Sequence, residues 1–333
     1  MDKVAVVGAG SWGTAVASLA AARTGTALWA RRSELASAIN ELHRNPDYLP
    51  DFELPGTLIA TNDLEDALTG ADLVVMAVPS HGFREVFTDA APHIRPGVPV
   101  VSLTKGIEQK TLSRMTEVVA SVAPAHDEGS IGVLTGPNLV AEVVVGQPAA
   151  SVAAFRDQEV AEKVQRLFMG PTFRVYTNDD VIGCELAGAL KNVMALASGM
   201  SDGLGFGDNT KAALLTRSLA ELTRLGVALG GRPETFAGLA GMGDLIATCG
   251  STRSRNHLVG FALAQGKTLD QIVTEMRMVA EGVKTTGSVL GLAAKTGVDM
   301  PIATHVGLVL DGAISPKDAV LSLMTREAKS ESV

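Results

Sequence analysis

The stretch VAVVGAGSWGTA, residues 4–15, decides how this chain folds. Its first four residues are apolar and read as a buried strand. Gly8, Gly10 and Gly13 then form a G-x-G-x-x-G turn that opens a helix. Gly8 permits the tight turn, Gly10 lets a pyrophosphate approach the backbone, and Gly13 lets helix and strand pack closely. Free N–H groups at the start of a helix suit an anion. The early lysine, the apolar run and the small residues near Ala20–Ala22 also mimic a signal peptide. A second strand, TALWA at 26–30, follows the helix. Strand, glycine turn and helix is therefore the better reading, and a dinucleotide the expected ligand.

From there strands and helices alternate. TLIAT (57–61), ADLVVMAVP (71–79), VPVVSLT (98–104), IGVLTG (131–136) and AASVAAF (149–155) read as strands, with RVYTN after a helix at 157–169. SELASAINELHR, DLEDAL, residues 81–91 and TLSRMTEVVASV read as helices between them. Near-continuous apolar strands of this kind predict an α/β fold: a mainly parallel, Rossmann-like sheet covered on both faces. From Val181 the alternation stops. Segments 182–200, 209–229, 256–265, 268–277, 284–296 and 303–311 have helical spacing. Residues 1–180 are thus expected to form an NAD(P)-binding domain, and 181–333 an all-α substrate-binding domain.

Composition narrows the partners. The 333 residues are 46% hydrophobic but only 4% aromatic, and 35 are glycine. That excludes general disorder and, without a period of three, a collagen-like fibre. A net charge of −8 argues against a nucleic-acid partner. It leaves room for a local cationic pocket that takes a small phosphorylated molecule. Two cysteines and six scattered histidines form no disulfide framework and no ligand spacing. The expectation is a reducing compartment, the cytoplasm, and no metal. Beyond the N-terminal run already read as strand, turn and helix, no other stretch of about 18 apolar residues lacks a charge or proline, so no membrane span is expected.

Several segments carry candidate chemistry. Where an NAD-selective fold places an acid at the end of its second strand, this chain has Arg31 and Arg32. Guanidinium groups suit a 2′-phosphate, so NADPH is expected to be accepted and preferred over NADH. Lys105, in SLTKGIE, and the turn Gly136-Pro137-Asn138 both follow strands, where ligands sit in open α/β sheets. ELAGALKNVMALA, residues 185–197, is apolar nearly all round and should be buried. A lysine there is expensive unless paired or functional, which makes Lys191 the best catalytic candidate. A snorkelling structural lysine is the plainer alternative. Asp244, in GMGDL, can orient or charge-balance Lys191. Ser254, Arg255 and Asn256 begin a helix and can clamp a phosphate with side chains and backbone N–H groups. Val279-Ala280-Glu281-Gly282 precedes another helix and can close over the cofactor, or be a plain turn.

Together, and in this order, GAGSWGTA, SLTKGIE, LTGPN, ELAGALKNV, GDNTKAAL, GMGDLIATC, STRSRN and AEGVKTT resemble the NAD(P)-dependent glycerol-3-phosphate dehydrogenases of the bacterial type. The resemblance spans nearly the whole chain. It implies a Rossmann-like domain, a helical substrate domain and a homodimer. It also implies roles: Lys191 as the catalytic acid/base, Lys105 as a substrate and cofactor contact, and Asp244, Asn192 and Thr248 on the substrate side. Ser254, Arg255 and Asn256 would hold the phosphate, with Arg255 near the cofactor as well. Gly8, Gly10, Ser11, Trp12, Gly13, Arg31, Arg32, Val279 and Glu281 would line the cofactor. Two positions depart from the pattern. Asn138 stands where the family usually has Ser or Thr, and Val140 where a small residue contacts the cofactor. The reaction implied is reversible hydride transfer between glycerol 3-phosphate and nicotinamide, which reduces dihydroxyacetone phosphate for phospholipid synthesis. Two other readings stay open: a 6-phosphogluconate or 3-hydroxyacid-type dehydrogenase, whose lysine and asparagine lie further apart than Lys191-Asn192, and a non-catalytic dinucleotide sensor.

Overall fold

The computed structural model describes residues 1–275, 280–328 and 330–331. Its first half runs β1 (Lys3–Val7), α1 (Ser11–Ala21), β2 (Gly25–Trp29), α2 (Ser33–Leu42), β3 (Leu58–Thr61), α3 (Leu64–Leu68), β4 (Leu73–Met76), α4 (Phe83–Ala90) and β5 (Val100–Ser102). It continues with α5 (Met115–Val122), β6 (Ile131–Thr135), α6 (Val140–Val143), β7 (Ala149–Ala154), α7 (Gln158–Phe168) and β8 (Phe173–Asn178). The strands form one sheet in the order β3-β2-β1-β4-β5-β6-β7-β8. All neighbours are parallel except β6 and β7, which run antiparallel. Two apolar cores cover its faces. One is built on Val4, Val6, Val16 and Leu28, the other on Ala5, Val7, Val74 and Phe83. Successive residues of β1 thus feed opposite cores, as alternation along a strand requires.

The second half is helical: α8 (Val181–Gly203), α9 (Asp208–Ala228), α10 (Pro233–Ala237), α11 (Asp244–Gly250), α12 (Arg255–Ala264), α13 (Leu269–Glu275), α14 (Glu281–Thr296), α15 (Pro301–Leu310) and α16 (Pro316–Met324). A π turn, Leu239–Gly243, leads into α11. The α/β class and helical second half expected from the sequence are therefore observed. α8 is the hub of a third core, around which Leu222, Leu245, Val259 and Val289 pack. Among the described helices it is the one long and apolar enough to cross a membrane, yet 89% of its apolar window is buried inside the fold. Glycines bring α12 against it. A Cβ on Gly199 would lie 2.0 Å from the His257 carbonyl, and one on Gly260 the same distance from that of Leu196. The close crossing sets the start of α12 beside Lys191 and Asn192.

Ligands of open α/β sheets sit where the strand order reverses. Here that point lies between β1 and β4, whose following turns touch: a Cβ on Gly8, at φ +121°, would fall 2.6 Å from the Ala77 carbonyl. Local details differ from the sequence reading. The helix expected over 111–122 begins only at Met115, because Leu112 adopts φ 60° and Ile107 bridges to Arg114. Helices α10, α11 and α16 lie outside the segments expected to be helical.

Candidate active site

The glycine turn has the shape a pyrophosphate needs. A Cβ on Gly13 would collide with the Gly8 carbonyl at 2.0 Å, so glycine is required for packing. One on Gly10 would meet nothing within 4 Å. Gly10 is also the N-cap of α1 and supplies no side-chain acceptor, so the first N–H groups of the helix stay available to an anion. Trp12 Nε1 is buried without a hydrogen-bond partner. An uncapped helix start, an open backbone and an orphaned donor fit a dinucleotide. Ser11 Oγ donates to the Tyr48 carbonyl at 3.3 Å. Arg31 and Arg32 are exposed at the start of α2, and Arg32 pairs with Asp47.

Beyond the strand ends, α8 and the loop after β5 converge on Asp244 of α11, which is 1% exposed. Lys191, from the middle of α8, places Nζ 2.7 Å from Asp244 Oδ1 and also donates to Thr248 Oγ1. Lys105, from the loop after β5, places Nζ 2.5 Å from Asp244 Oδ2 and 2.9 Å from the Gly136 carbonyl. Two ammonium groups thus share the two oxygens of one carboxylate. Burial lowers Lys105 to about 8, against the pull of Asp244, and Lys191 pushes the same way as burial. Cys249 lies near Lys191 and is no nucleophile, because burial pushes its thiol up to about 12.

A line of amides fixes the surrounding backbone. Gly282 N–H donates to Asn256 Oδ1 at 2.9 Å, Asn256 Nδ2 to Asn192 Oδ1 at 3.0 Å, and Asn192 Nδ2 to the Lys105 carbonyl at 3.0 Å. The start of α14, the start of α12, α8 and the β5 loop are thereby held in one register. Ser254 caps α12 by accepting the His257 N–H, and Arg255 and Asn256 follow it in the first turn. Glu281 reaches across to Ser80, whose hydroxyl donates to it at 2.7 Å. Asn138 is turned toward β7, its Oδ1 accepting from Ser151 at 2.6 Å. Val140 begins α6, which lines a cleft with Ile246, Ser251 and Arg253. Val279 lies outside the described residues.

The sequence reading passed over Thr135 and Arg114. Thr135 Oγ1 is buried without a partner close to Gly188 and Lys105. Glu185 is held by Thr116 N–H at 2.9 Å and Arg114 Nη1 at 2.9 Å, tying α8 to α5. Glu185 stood out in the sequence as an acid inside an apolar helix, on one face with Asn192, whereas Arg114 lay unremarked in a stretch read as helix. Among the described residues, no group of three or more His, Cys, Asp and Glu side chains is placed to hold a metal ion. The cluster offers instead two ammonium groups beside a strand end, tied through Asn192 and Asn256 to the helix start that carries Arg255. This arrangement can bind an anion and move a proton.

Comparison with known proteins agrees over the whole chain. Residues 3–161 match the family model of the NAD-dependent glycerol-3-phosphate dehydrogenase N-terminus, and residues 180–321 that of its C-terminus. A glycerol-3-phosphate dehydrogenase (NAD(P)+) 2 of Sphingopyxis alaskensis is 53% identical over 329 residues, covering 99% of this chain and 98% of the relative. A Geobacter sulfurreducens relative of the same activity is 51% identical, covering 99% of each chain. The crystal structure of glycerol-3-phosphate dehydrogenase from Coxiella burnetii superposes with a TM-score of 0.92 at 37% identity, covering 98% of this chain and 99% of that one.

Proposed function

The chain belongs to the NAD-dependent glycerol-3-phosphate dehydrogenase family, and we propose how its residues carry out that reaction on dihydroxyacetone phosphate and glycerol 3-phosphate. One observation carries the reading: Lys105 and Lys191 share the single carboxylate of Asp244. With both lysines protonated, the cluster holds one positive charge in excess. A phosphorylated, carbonyl-bearing substrate supplies the missing negative charge, first on its phosphate and then on the oxygen under reduction.

Hydride at the substrate carbon would come from, or go to, the nicotinamide of a dinucleotide bound at the glycine turn. Lys191 does the acid–base work. As ammonium it stabilises charge growing on the carbonyl oxygen and donates the proton; as amine it takes the hydroxyl proton in reverse. Asp244 and Thr248 hold its Nζ in place. Lys105 draws the substrate in and is aimed by the Gly136 carbonyl. Arg255 and Asn256, with Ser254 capping the turn, hold the phosphate at the start of α12. Asn192 and Asn138 complete the substrate side. Gly8, Gly10, Ser11, Trp12, Gly13, Arg31, Arg32, Val140 and Glu281 line the cofactor, NAD or NADP, with NADPH preferred. Residues 1–180 serve as the cofactor domain and 181–333 as the substrate domain, in a cytoplasmic homodimer. Reduction suits a protonated Lys191 and is the natural direction at this site.

The discriminating assay follows NADPH and NADH oxidation with dihydroxyacetone phosphate, with 6-phosphogluconate plus NADP+ or NAD+ run in parallel. Turnover with the first and not the second is expected. Turnover with 6-phosphogluconate alone, or with neither, rejects the reading.

A further inference from the structure

The end of β2 carries no acid, yet a carboxylate reaches it from another segment. After α2 the chain turns back, and Asn45, fully buried, docks it on the glycine turn. Asn45 Nδ2 donates to the Ala9 carbonyl at 2.9 Å and to Thr14 Oγ1 at 2.8 Å. Its Oδ1 accepts the N–H groups of Asp47 at 3.3 Å and Tyr48 at 3.2 Å. The Ser11 hydroxyl, on α1, holds the Tyr48 carbonyl. Segment 45–48 is thus pinned to the backbone that receives the dinucleotide, and the pinning delivers Asp47 to Arg32. The pair faces solvent, with side chains 54% and 43% exposed, so a stronger anion can separate it.

We propose that Asp47 is a specificity-determining residue that restrains the preference for NADPH over NADH. This rests on the reading that Arg31 and Arg32 face the 2′ position of the cofactor ribose. A 2′-phosphate must take Arg32 from Asp47 and lie close to a like charge. A 2′-hydroxyl does neither. Asp47 therefore penalises the phosphorylated cofactor selectively, although it belongs to a different segment from the arginines.

The test measures binding without turnover. Nicotinamide fluorescence gives Kd for NADPH and NADH with the full-length protein and with Asp47→Asn, Arg32→Ala and the double Arg31→Ala/Arg32→Ala variant. Adenosine 2′,5′-bisphosphate is added as a competitor. Asp47→Asn is expected to tighten NADPH and the bisphosphate roughly fivefold or more, from release of the pair and loss of repulsion, with NADH unchanged. If Asp47→Asn leaves NADPH at its wild-type Kd while Arg32→Ala weakens it, the role of Asp47 is overturned and the arginine reading stands. If the double arginine variant also binds NADPH as wild type does, both fall. Equal tightening of NADH and NADPH likewise overturns the proposal, because selectivity is its content.

Discussion

Asp244 is the residue on which the site turns, because it joins two lysines from different halves of the fold. Its neighbour Lys105 gives the sharpest pH dependence. Burial lowers Lys105 to about 8, and an unfolded lysine titrates near 10.4. Between those values the unfolded chain holds a proton that the folded chain has released. Lys105 therefore makes stability rise with pH across that window, and the burden of burying its charge is borne below about 8. For substrate the sign is opposite, since the attraction for a phosphate disappears as Lys105 deprotonates. We expect kcat/KM for dihydroxyacetone phosphate to fall as pH rises through about 8, and this limb to vanish in Lys105→Ala, whose kcat/KM is low throughout. An unchanged limb in that variant removes Lys105 from the titrating cluster. Lys191 was legible in the sequence because a cation inside an apolar helix demands a partner. Asp47 was not, because its role depends on a buried amide, Asn45, that looks like any turn residue.

At the scale of elements, β1, the glycine turn and α1 were legible because every interaction that fixes them is local. Two neighbouring glycines separate their two duties. Gly13→Ala forces a methyl into the Gly8 carbonyl and should destabilise the fold by about 1–3 kcal/mol or more, as overpacking does. Gly10→Ala meets open space and should leave the denaturation midpoint nearly unchanged. It should still weaken NAD(P)H by about tenfold or more, or ~1.4 kcal/mol, because its methyl stands where the pyrophosphate approaches. Parallel urea unfolding and fluorescence titration check both; loss of stability in Gly10→Ala contradicts the assignment. The stretch AGLAGMGDLIATCG was harder to read. Its glycines suggest a turn, but the segment packs so closely that a Cβ on Gly241 would lie 2.1 Å from the Phe236 carbonyl. That contact is local, between residues five apart, and it belongs to a wide π turn that leads into a helix, a backbone form that composition does not announce.

At the scale of the molecule, the two halves are joined at the site itself. Lys105 meets Asp244, Ser80 meets Glu281, and Arg114 meets Glu185. The general architecture was legible because periodicity reports which faces are buried. The register between halves was not, since it rests on side chains far apart in the sequence, from Arg114 and Glu185 to Ser80 and Glu281. Away from the site, Glu221 on α9 accepts the N–H groups of Ile302 at 2.8 Å and Ala303 at 3.4 Å, at the start of α15. Burial pushes its carboxyl up to about 7, outweighing those bonds. Between the ordinary glutamate value and 7 the folded protein holds a proton that the unfolded chain has lost, so this residue makes stability fall as pH rises. Urea midpoints measured from pH 5 to 8 should fall less steeply for Glu221→Gln than for the wild type; identical slopes refute this.

The central claim is that Lys191 moves the proton while the rest of the cluster holds the substrate. Its most direct test is the steady-state rate of NAD(P)H oxidation with saturating dihydroxyacetone phosphate, compared between the wild type and Lys191→Ala. Retained cofactor binding would show the variant to be folded. A loss of at least ~100-fold in kcat is predicted, the low end for general acid–base catalysis. Near wild-type turnover in Lys191→Ala contradicts the account.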